Sequence, residues 1–317
     1  MTTKSSTRLV VIYGLRLFGQ GMMTQNAMTA TGRWFAANRG RAVSIVTLGH
    51  NASEALMPFV FVALISWIGW RNGWFMASGF LMLAALPAVY ALLREERAPQ
   101  STDVTTETVA VRDWTRREVV RDAAFWLLLT GVLAPAFIGT TIFFHQVYLV
   151  DLRGWDLQTF ALSFSLMAVM TICFALISGA LIDRYSAVRI LPTYLVPLAL
   201  SCFVLAAFDA IWSAFAFMAL MGISYGFSST LFGALWPEIY GTKHLGSVRA
   251  LVVAIMVFAT AAGPGLTGTL IDFGVSYPAQ IAAMGVYCVI MCVVMSIVSR
   301  RLIARRHSML ANATTTG

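Results

Sequence analysis

Charge is scarce in this sequence of 317 residues: Asp, Glu, Lys and Arg together make up 11% of it, against 59% hydrophobic residues. A soluble domain carries about 25% charged residues, so a water-facing surface over most of the chain is excluded. Cysteine is sparse as well. Cys173, Cys202, Cys288 and Cys292 all lie inside apolar runs, without the spacing of a zinc site or a redox motif. They read as small core or lipid-facing residues. A phosphate-binding glycine loop is missing, which argues against an ATP-driven pump within the chain. There is no HExxH and no paired set of intramembrane carboxylates, so a membrane protease or metal enzyme is the least favoured class. The polar stretch Met1–Arg8 is followed by an apolar run that contains Arg16 and lacks a small-residue cleavage site, so a cleaved leader is not expected.

What the sequence has in abundance is apolar length. Mean hydropathy is +0.77, and runs of about 20 apolar residues recur, the length that crosses roughly 30 Å of hydrocarbon at 1.5 Å per residue. A lipid-spanning segment must satisfy its own backbone, so these runs are expected to be helices. Nine spans are expected, at 9–32, 43–67, 73–93, 123–149, 158–182, 189–208, 211–236, 248–272 and 278–299. The breaks carry turn and charge signals, among them Gly69-Trp70-Arg71-Asn72-Gly73 and Tyr240-Gly241-Thr242-Lys243. One hydrophilic connection, 94–122, divides the chain into an incomplete three-helix bundle (1–93) and a six-helix bundle (123–301), with a tail at 302–317.

The net charge of +8 reflects topology and implies no nucleic-acid partner. Alternate connections hold nearly all the Arg and Lys, including Arg39, Arg41, Arg112, Arg116, Arg184, Arg189, Lys243 and Arg300. The other set holds only Lys4, Arg8, Arg71 and Arg153. By the positive-inside rule the first set, and the C-terminus with it, is cytoplasmic, which places a multi-pass protein in the cell (inner) membrane. Nine spans put the N-terminus outside, although Lys4 and Arg8 stand beside the first helix. Transporters are often built from two similar halves, so three helices before the connection and six after it suggest three missing helices.

Gly179-Ala-Leu-Ile-Asp183-Arg184-Tyr-Ser-Ala-Val-Arg189 resembles the G-x-L-x-D-R-x-G-x-x-R loop of the major facilitator superfamily, with Ser186 where glycine is usual. Arg16-Leu-Phe-Gly19-Gln20-Gly21 is similar to the arginine and glycine pattern of the family's fourth helix, its glycines offset by about one position. Gly49-His-Asn-Ala-Ser-Glu54-Ala-Leu-Met-Pro58, followed by Gly69-Trp70-Arg71, resembles the fifth helix and its exit in bacterial members of the monocarboxylate or oxalate/formate-like branch. Phe144-His145-Gln146 and Tyr240-Gly241-Thr-Lys-His244-Leu-Gly246 resemble the same members. The resemblance covers essentially the whole chain and begins at the fourth helix. It implies an all-α integral membrane fold of two bundles, the first incomplete, that moves a small molecule by alternating access.

The candidate site residues follow from the cost of charge in hydrocarbon, about 2.5–3.5 kcal/mol or more. Glu54 falls near the middle of its span, and His50 is one turn earlier on the same helix. Desolvation would bring both toward reversible protonation, so Glu54 is expected to bind a proton or to pair with a cation at the substrate site. Arg16, Gln20 and Thr24 recur every four residues on one face of the first span. Arg16, a permanent cation, needs a carboxylate or an anionic ligand. Gln25 and Asn26 are further cavity candidates. Thr140, Thr141, His145 and Gln146 occupy the outer half of the fourth span, where His145 either binds substrate or shapes a gate. Asp183 is expected to face a neighbouring helix N-terminus, while Arg184 and Arg189 reach carboxylates, together forming a charge latch with Gly179. Gly222 with Gly226, and Ala261 with Gly265, have the spacing of close helix packing. Ser224, Tyr225, Ser228 and Ser229 mark a polar part of the seventh span, and Pro58, Pro135 and Pro264 are expected kink sites. The sixteen Met and nine Trp suit lipid-facing packing and interfacial belts, and require no cofactor.

The expected function is secondary transport of a small solute, an organic anion on the strength of Arg16, with proton coupling or exchange and no enzymatic activity. Membrane lipid and a small-molecule substrate are the expected partners. The alternative is a regulatory or inactive membrane protein that does not transport, or a chain whose true start codon lies upstream.

Overall fold

The structure, a computed structural model, describes residues 11, 14, 23–35, 38–94 and 112–315, without the side chains of 54, 55, 58, 59, 62, 93 and 306–315. Among these residues there is helix and turn but no strand. The helices are α1 (Met23–Trp34), α2 (Arg39–Ile68) and α3, which runs Trp70–Phe80, Leu81–Ala85 as a π-helical turn, then Leu86–Leu93. After the connection come α4 (Arg116–Arg121), α5 (Ala123–Phe144), α6 (Gln146–Arg153) and α7 (Leu157–Tyr185). The chain ends with α8 (Ala187–Ile190), α9 (Val196–Ala207), α10 (Trp212–Tyr240), α11 (Leu245–Asp272) and α12 (Tyr277–Thr315).

Among the described residues six helical segments are long and apolar enough to cross a membrane: 70–92, 123–144, 157–185, 212–240, 245–272 and 277–305. Of the expected first span, α1 covers residues 23–32, and the expected second span lies within α2. Two expected spans are interrupted. The fourth breaks at His145, whose φ of −95° and ψ of 17° leave the helical region, and resumes as α6. The sixth, expected at 189–208, is α8, a turn and then α9. Pro192 and Pro197 lack the N–H that a continuous helix would use. The turn between them closes through i→i−3 bonds, Thr193 N to Ile190 O and Val196 N to Thr193 O.

Local chemistry starts several helices. The Asp156 carboxylate accepts from Thr159 N at 2.7 Å at the head of α7, and Asp122 accepts from Ala124 N at the head of α5. Thr115 and Glu118 form a reciprocal capping box at the head of α4.

The core of the second bundle is built around Trp236, Tyr194, Tyr240, Phe125, Phe160 and Phe217, all essentially inaccessible. Here α10 lies against α7, with Gly222 and Gly226 at the contact. A Cβ on either would stand 2.5 Å from a backbone oxygen of α7, that of Met167 or Thr171. The other small-residue pair behaves differently. Ala261 and Gly265 are exposed, and nothing lies within 4 Å of a Cβ on Gly265. The buried face of α11 carries Gly263 and Thr267 instead, with Gly263 against Thr141 and Phe137 of α5. Within the first bundle α3 folds back on α2 near their shared corner, where Phe61 and Trp74 stack edge to face at 5.1 Å. The long apolar side chains of α3 are exposed, as a lipid-facing helix requires.

Candidate functional site

The two bundles meet at the end of the molecule that carries the basic residues. The face of α2 toward the second bundle is Gly40, Ser44, Thr47 and Asn51, spaced by helical turns and all buried. Opposite lies the last turn of α7. Gly40 and Gly179 meet without side chains between them. A Cβ on Gly179 would stand 2.6 Å from Ser44 Oγ and 2.9 Å from Gly40 O. Farther along, Val43 fills the notch over Gly233 of α10.

Asp183 closes this contact. Its carboxylate accepts from Gly40 N at 2.6 Å and from Arg41 N at 2.9 Å, two of the first amides of α2. Arg41 Nε stands 3.8 Å from the same group. A carboxylate at a helix N-terminus meets the positive end of the macrodipole and amides that have no partner within the helix. Asp183 therefore ties α7 of one bundle to α2 of the other. The neighbouring arginines stand apart from that contact: Arg184 lies over the Tyr185 ring at 5.2 Å, and Arg184 and Arg189 are both exposed.

The corner after Tyr185 turns on Ser186, whose φ is +78°. The next amide, Ala187 N, donates to Glu238 Oε2 at 2.8 Å, joining this corner to the end of α10. A second tie between the bundles comes from α1. Arg33 donates to the carbonyl oxygens of Thr242 and Lys243 at 3.2 and 3.3 Å, and Gly32 packs beside Leu245 and Pro237. The amides of the same two loop residues donate to Asp113 at 2.9 and 3.0 Å. Loop 241–244 is thus held through its carbonyls by one bundle and through its amides by the connecting segment.

The other sequence candidates are scattered. Arg16 and Gln20 lie outside the described residues. Gln25 is half-buried and Asn26 exposed on α1, and His50 is exposed on α2. Glu54 is near the middle of α2, but its side chain is outside the described set. His145 and Gln146 are at the opposite end of the second bundle. There the His145 ring nitrogen Nδ1 is 3.1 Å from Thr141 O, and its ring is 5.7 Å from that of Tyr277. Tyr225 donates to Pro135 O at 3.2 Å, while Ser224 donates across to Tyr194 O at 2.8 Å, so that polar stretch joins helices within one bundle.

Three features of the junction escaped the sequence reading. Asn51 is 9% exposed, and among the described residues its amide nitrogen has no hydrogen-bond partner. Arg249, 4% exposed, donates to the carbonyls of Phe232 and Gly233. Arg33 is the third. The helical spacing of Gly40, Ser44, Thr47 and Asn51 is the sequence signal for this face, a stripe of small and polar residues on an otherwise apolar helix.

A family model described as Major Facilitator Superfamily matches residues 3–264, and matches again over 148–308. The chain belongs to the Major Facilitator Superfamily. It is accordingly an integral, multi-pass membrane protein of a transporter family. An "MFS-type transporter" of Gibberella moniliformis (strain M3125 / FGSC 7600) is 26% identical over 263 residues, covering 80% of this chain and 60% of that protein. The chain thus spans about 60% of the length of the curated relative it matches. That relative is fungal and its description names no substrate, so the bacterial branch expected from the sequence gains no support from it. Within the superfamily chain, the motif that carried the resemblance is the segment that forms the junction: Gly179 permits the approach and Asp183 binds the opposing helix.

Proposed function

We propose that this chain is a secondary transporter of a small organic anion, working by alternating access with proton coupling or exchange. The observation that carries the reading is the Asp183 carboxylate on the first amides of α2. A contact made by one charged group on a helix end is worth about 0.3–2 kcal/mol, enough to bias the packed junction toward its closed form and weak enough to release. The basic end is taken as cytoplasmic, so the described junction closes the path on that side. At the middle of α2, Leu56, Met57 and Val60 are 60%, 56% and 54% exposed, which we read as the side that faces the path or the lipid. The arrangement supports a conformation closed toward the cytoplasm.

Glu54 is the proposed proton site, with His50 one turn away. The Asn51 amide, between them in sequence, buried and without a hydrogen-bond partner among the described residues, offers a donor to a carboxylate or carbonyl of the solute. Arg16, Gln20, Gln25 and Asn26 are proposed to line the path on the first span, with His145 and Gln146 at its outer mouth. Gly179, Asp183, Arg184 and Arg189 form the proposed gate, with Arg184 and Arg189 engaging carboxylates when the gate rearranges.

The test is uptake of a panel of small organic acids into proteoliposomes holding the 317-residue chain, with and without an imposed pH gradient. Saturable uptake of an organic acid supports the reading, and its loss with the gradient assigns proton coupling. A well-folded preparation that takes up none of them, under either condition, overturns it in favour of a membrane protein without transport activity.

A further inference from the structure

Six arginines gather where the connecting segment meets the basic end: Arg116, Arg117 and Arg121 on α4, and Arg300, Arg301 and Arg305 on α12. Three carboxylates among the described residues of this region, Asp113, Glu118 and Asp122, are committed to partners within the protein. Asp113 accepts from the amides of Thr242 and Lys243. Glu118 accepts from Thr115 N and Oγ1, both at 2.8 Å, and pairs with Arg112. Asp122 accepts from Tyr240 Oη at 3.2 Å and stands 3.6 Å from Arg305. Acceptor capacity is used inward and cationic charge is displayed outward, for Arg116, Arg117, Arg121, Arg300 and Arg301 are exposed.

The cluster borders a shallow cavity, widely open to the surface and of about 340 Å³, lined by Trp114, Glu118, Arg121, Asp122 and Arg305. The Arg305 guanidinium lies 4.4 Å from the Trp114 ring centre, which fixes its plane at the cavity. Height in the bilayer follows from the helices on either side. The apolar span α5 begins at Ala123, directly after α4, and the apolar part of α12 ends at Arg300. Trp126 is 45% exposed and donates its indole N–H to Val120 O at 2.8 Å, in the manner of an interfacial anchor. These features place α4 and the cavity at the level of the lipid headgroups.

We propose that this cavity binds the phosphate of an anionic phospholipid from the surrounding bilayer. Arg121 supplies forked donors matched to phosphate oxygens, Arg305, already engaged by Asp122, adds its charge beside them, and Trp114 forms the wall against the glycerol. Pairing with Arg112 and Arg305 offsets the charge of Glu118 and Asp122, while Arg117 and Arg301 add attraction at longer range. A bound lipid would anchor the segment whose Asp113 holds loop 241–244, the loop that Arg33 of the other bundle also grips. The proposal rests on the chain spanning a membrane and is independent of any transport activity.

The experiment titrates the purified full chain in nonionic detergent with dihexanoyl-phosphatidylglycerol and follows the unfolding midpoint. Parallel arms use dihexanoyl-phosphatidylcholine and inorganic phosphate. A saturable rise with phosphatidylglycerol alone is expected. The apparent Kd should weaken about fivefold for each arginine removed in Arg121→Gln and in the triple variant Arg117→Gln/Arg121→Gln/Arg301→Gln. Arg71→Gln, on the opposite end, should leave it unchanged. Arg121→Gln alone, at an exposed position, decides the matter if the triple variant does not fold. An equal response to phosphatidylcholine, or a Kd indifferent to Arg121, overturns the site. A response to inorganic phosphate equal to that with the lipid overturns the lipid and leaves a soluble-anion site.

Discussion

Ser186 and Gly69 share one backbone geometry: φ 78° and ψ 152° at the serine, φ 79° and ψ 158° at the glycine. Each stands at a corner between two helices, α7 to α8 and α2 to α3. This region of φ/ψ space is nearly restricted to glycine, because a Cβ there crowds the backbone, and it costs another residue about 1–3 kcal/mol. The superfamily loop resembled by 179–189 has glycine at the position of Ser186, and the corner keeps the shape that glycine suits.

Ser186→Gly is therefore expected to stabilise the chain by about 1 kcal/mol, and Ser186→Val to destabilise it. Thermal unfolding of the purified variants in one detergent measures both. A lower midpoint for Ser186→Gly would mean that the serine side chain has a favourable role that outweighs the backbone.

Asp183→Asn removes the charge from the α2 amides while leaving an oxygen that can still accept. A loss of about 1 kcal/mol is expected at the junction, roughly fivefold in its closed population. Alkylation of a cysteine placed at Ser44, in membranes with the basic end accessible, should speed up by a similar factor. An unchanged rate in Asp183→Asn would show that the carboxylate is not what keeps the bundles together.

Gly179→Val tests the close approach on steric grounds. Its new side chain would meet Ser44 and the Gly40 carbonyl, and overpacking of this kind costs about 1–3 kcal/mol. Cross-linking between cysteines placed at Val43 and Gly233, efficient in the parent, should fall in this variant. Gly265→Val, at an open position of α11, should leave the cross-link intact.

Glu54→Gln addresses the coupling ion. If Glu54 carries the transported proton, uptake in the variant loses its dependence on pH but retains exchange of solute for solute. Full pH dependence of uptake in Glu54→Gln would falsify the proton role.

The capping box of α4 predicts a pH effect outside the membrane. The Thr115 amide and hydroxyl hold the Glu118 carboxyl below its ordinary value of 4.5. A depressed folded-state pKa means that the cap stabilises above the ordinary value and is lost as pH falls through the folded one. The difference in unfolding midpoint between the parent and Glu118→Gln should be present at pH 7 and vanish on acidification below 4.5. A difference that is constant with pH would place the effect in packing.

The sequence by itself determined the class. Apolar runs of membrane length have one way to satisfy their backbone, so helices at 70–92, 157–185, 212–240 and 245–272 were legible within a few residues of their ends, and so was the start of α12. Its continuation to Thr315, through the expected tail at 302–317, was not, because hydropathy falls at Arg300 while the helix does not end there. The motif at 179–189 was also legible, because a glycine, an aspartate and arginines at fixed spacing stand out in an apolar sequence. Tertiary structure decided what those residues touch. Nothing in the periodicity of α11 distinguishes Gly265, in open space, from Gly263, against α5, since which face of an apolar helix meets protein depends on its neighbours. Nor could spacing pair Asp183 with Gly40 and Arg41, 143 and 142 positions away. A helix N-terminus offers amides to any nearby anion, and only the packing of α7 across α2 brings this carboxylate to them.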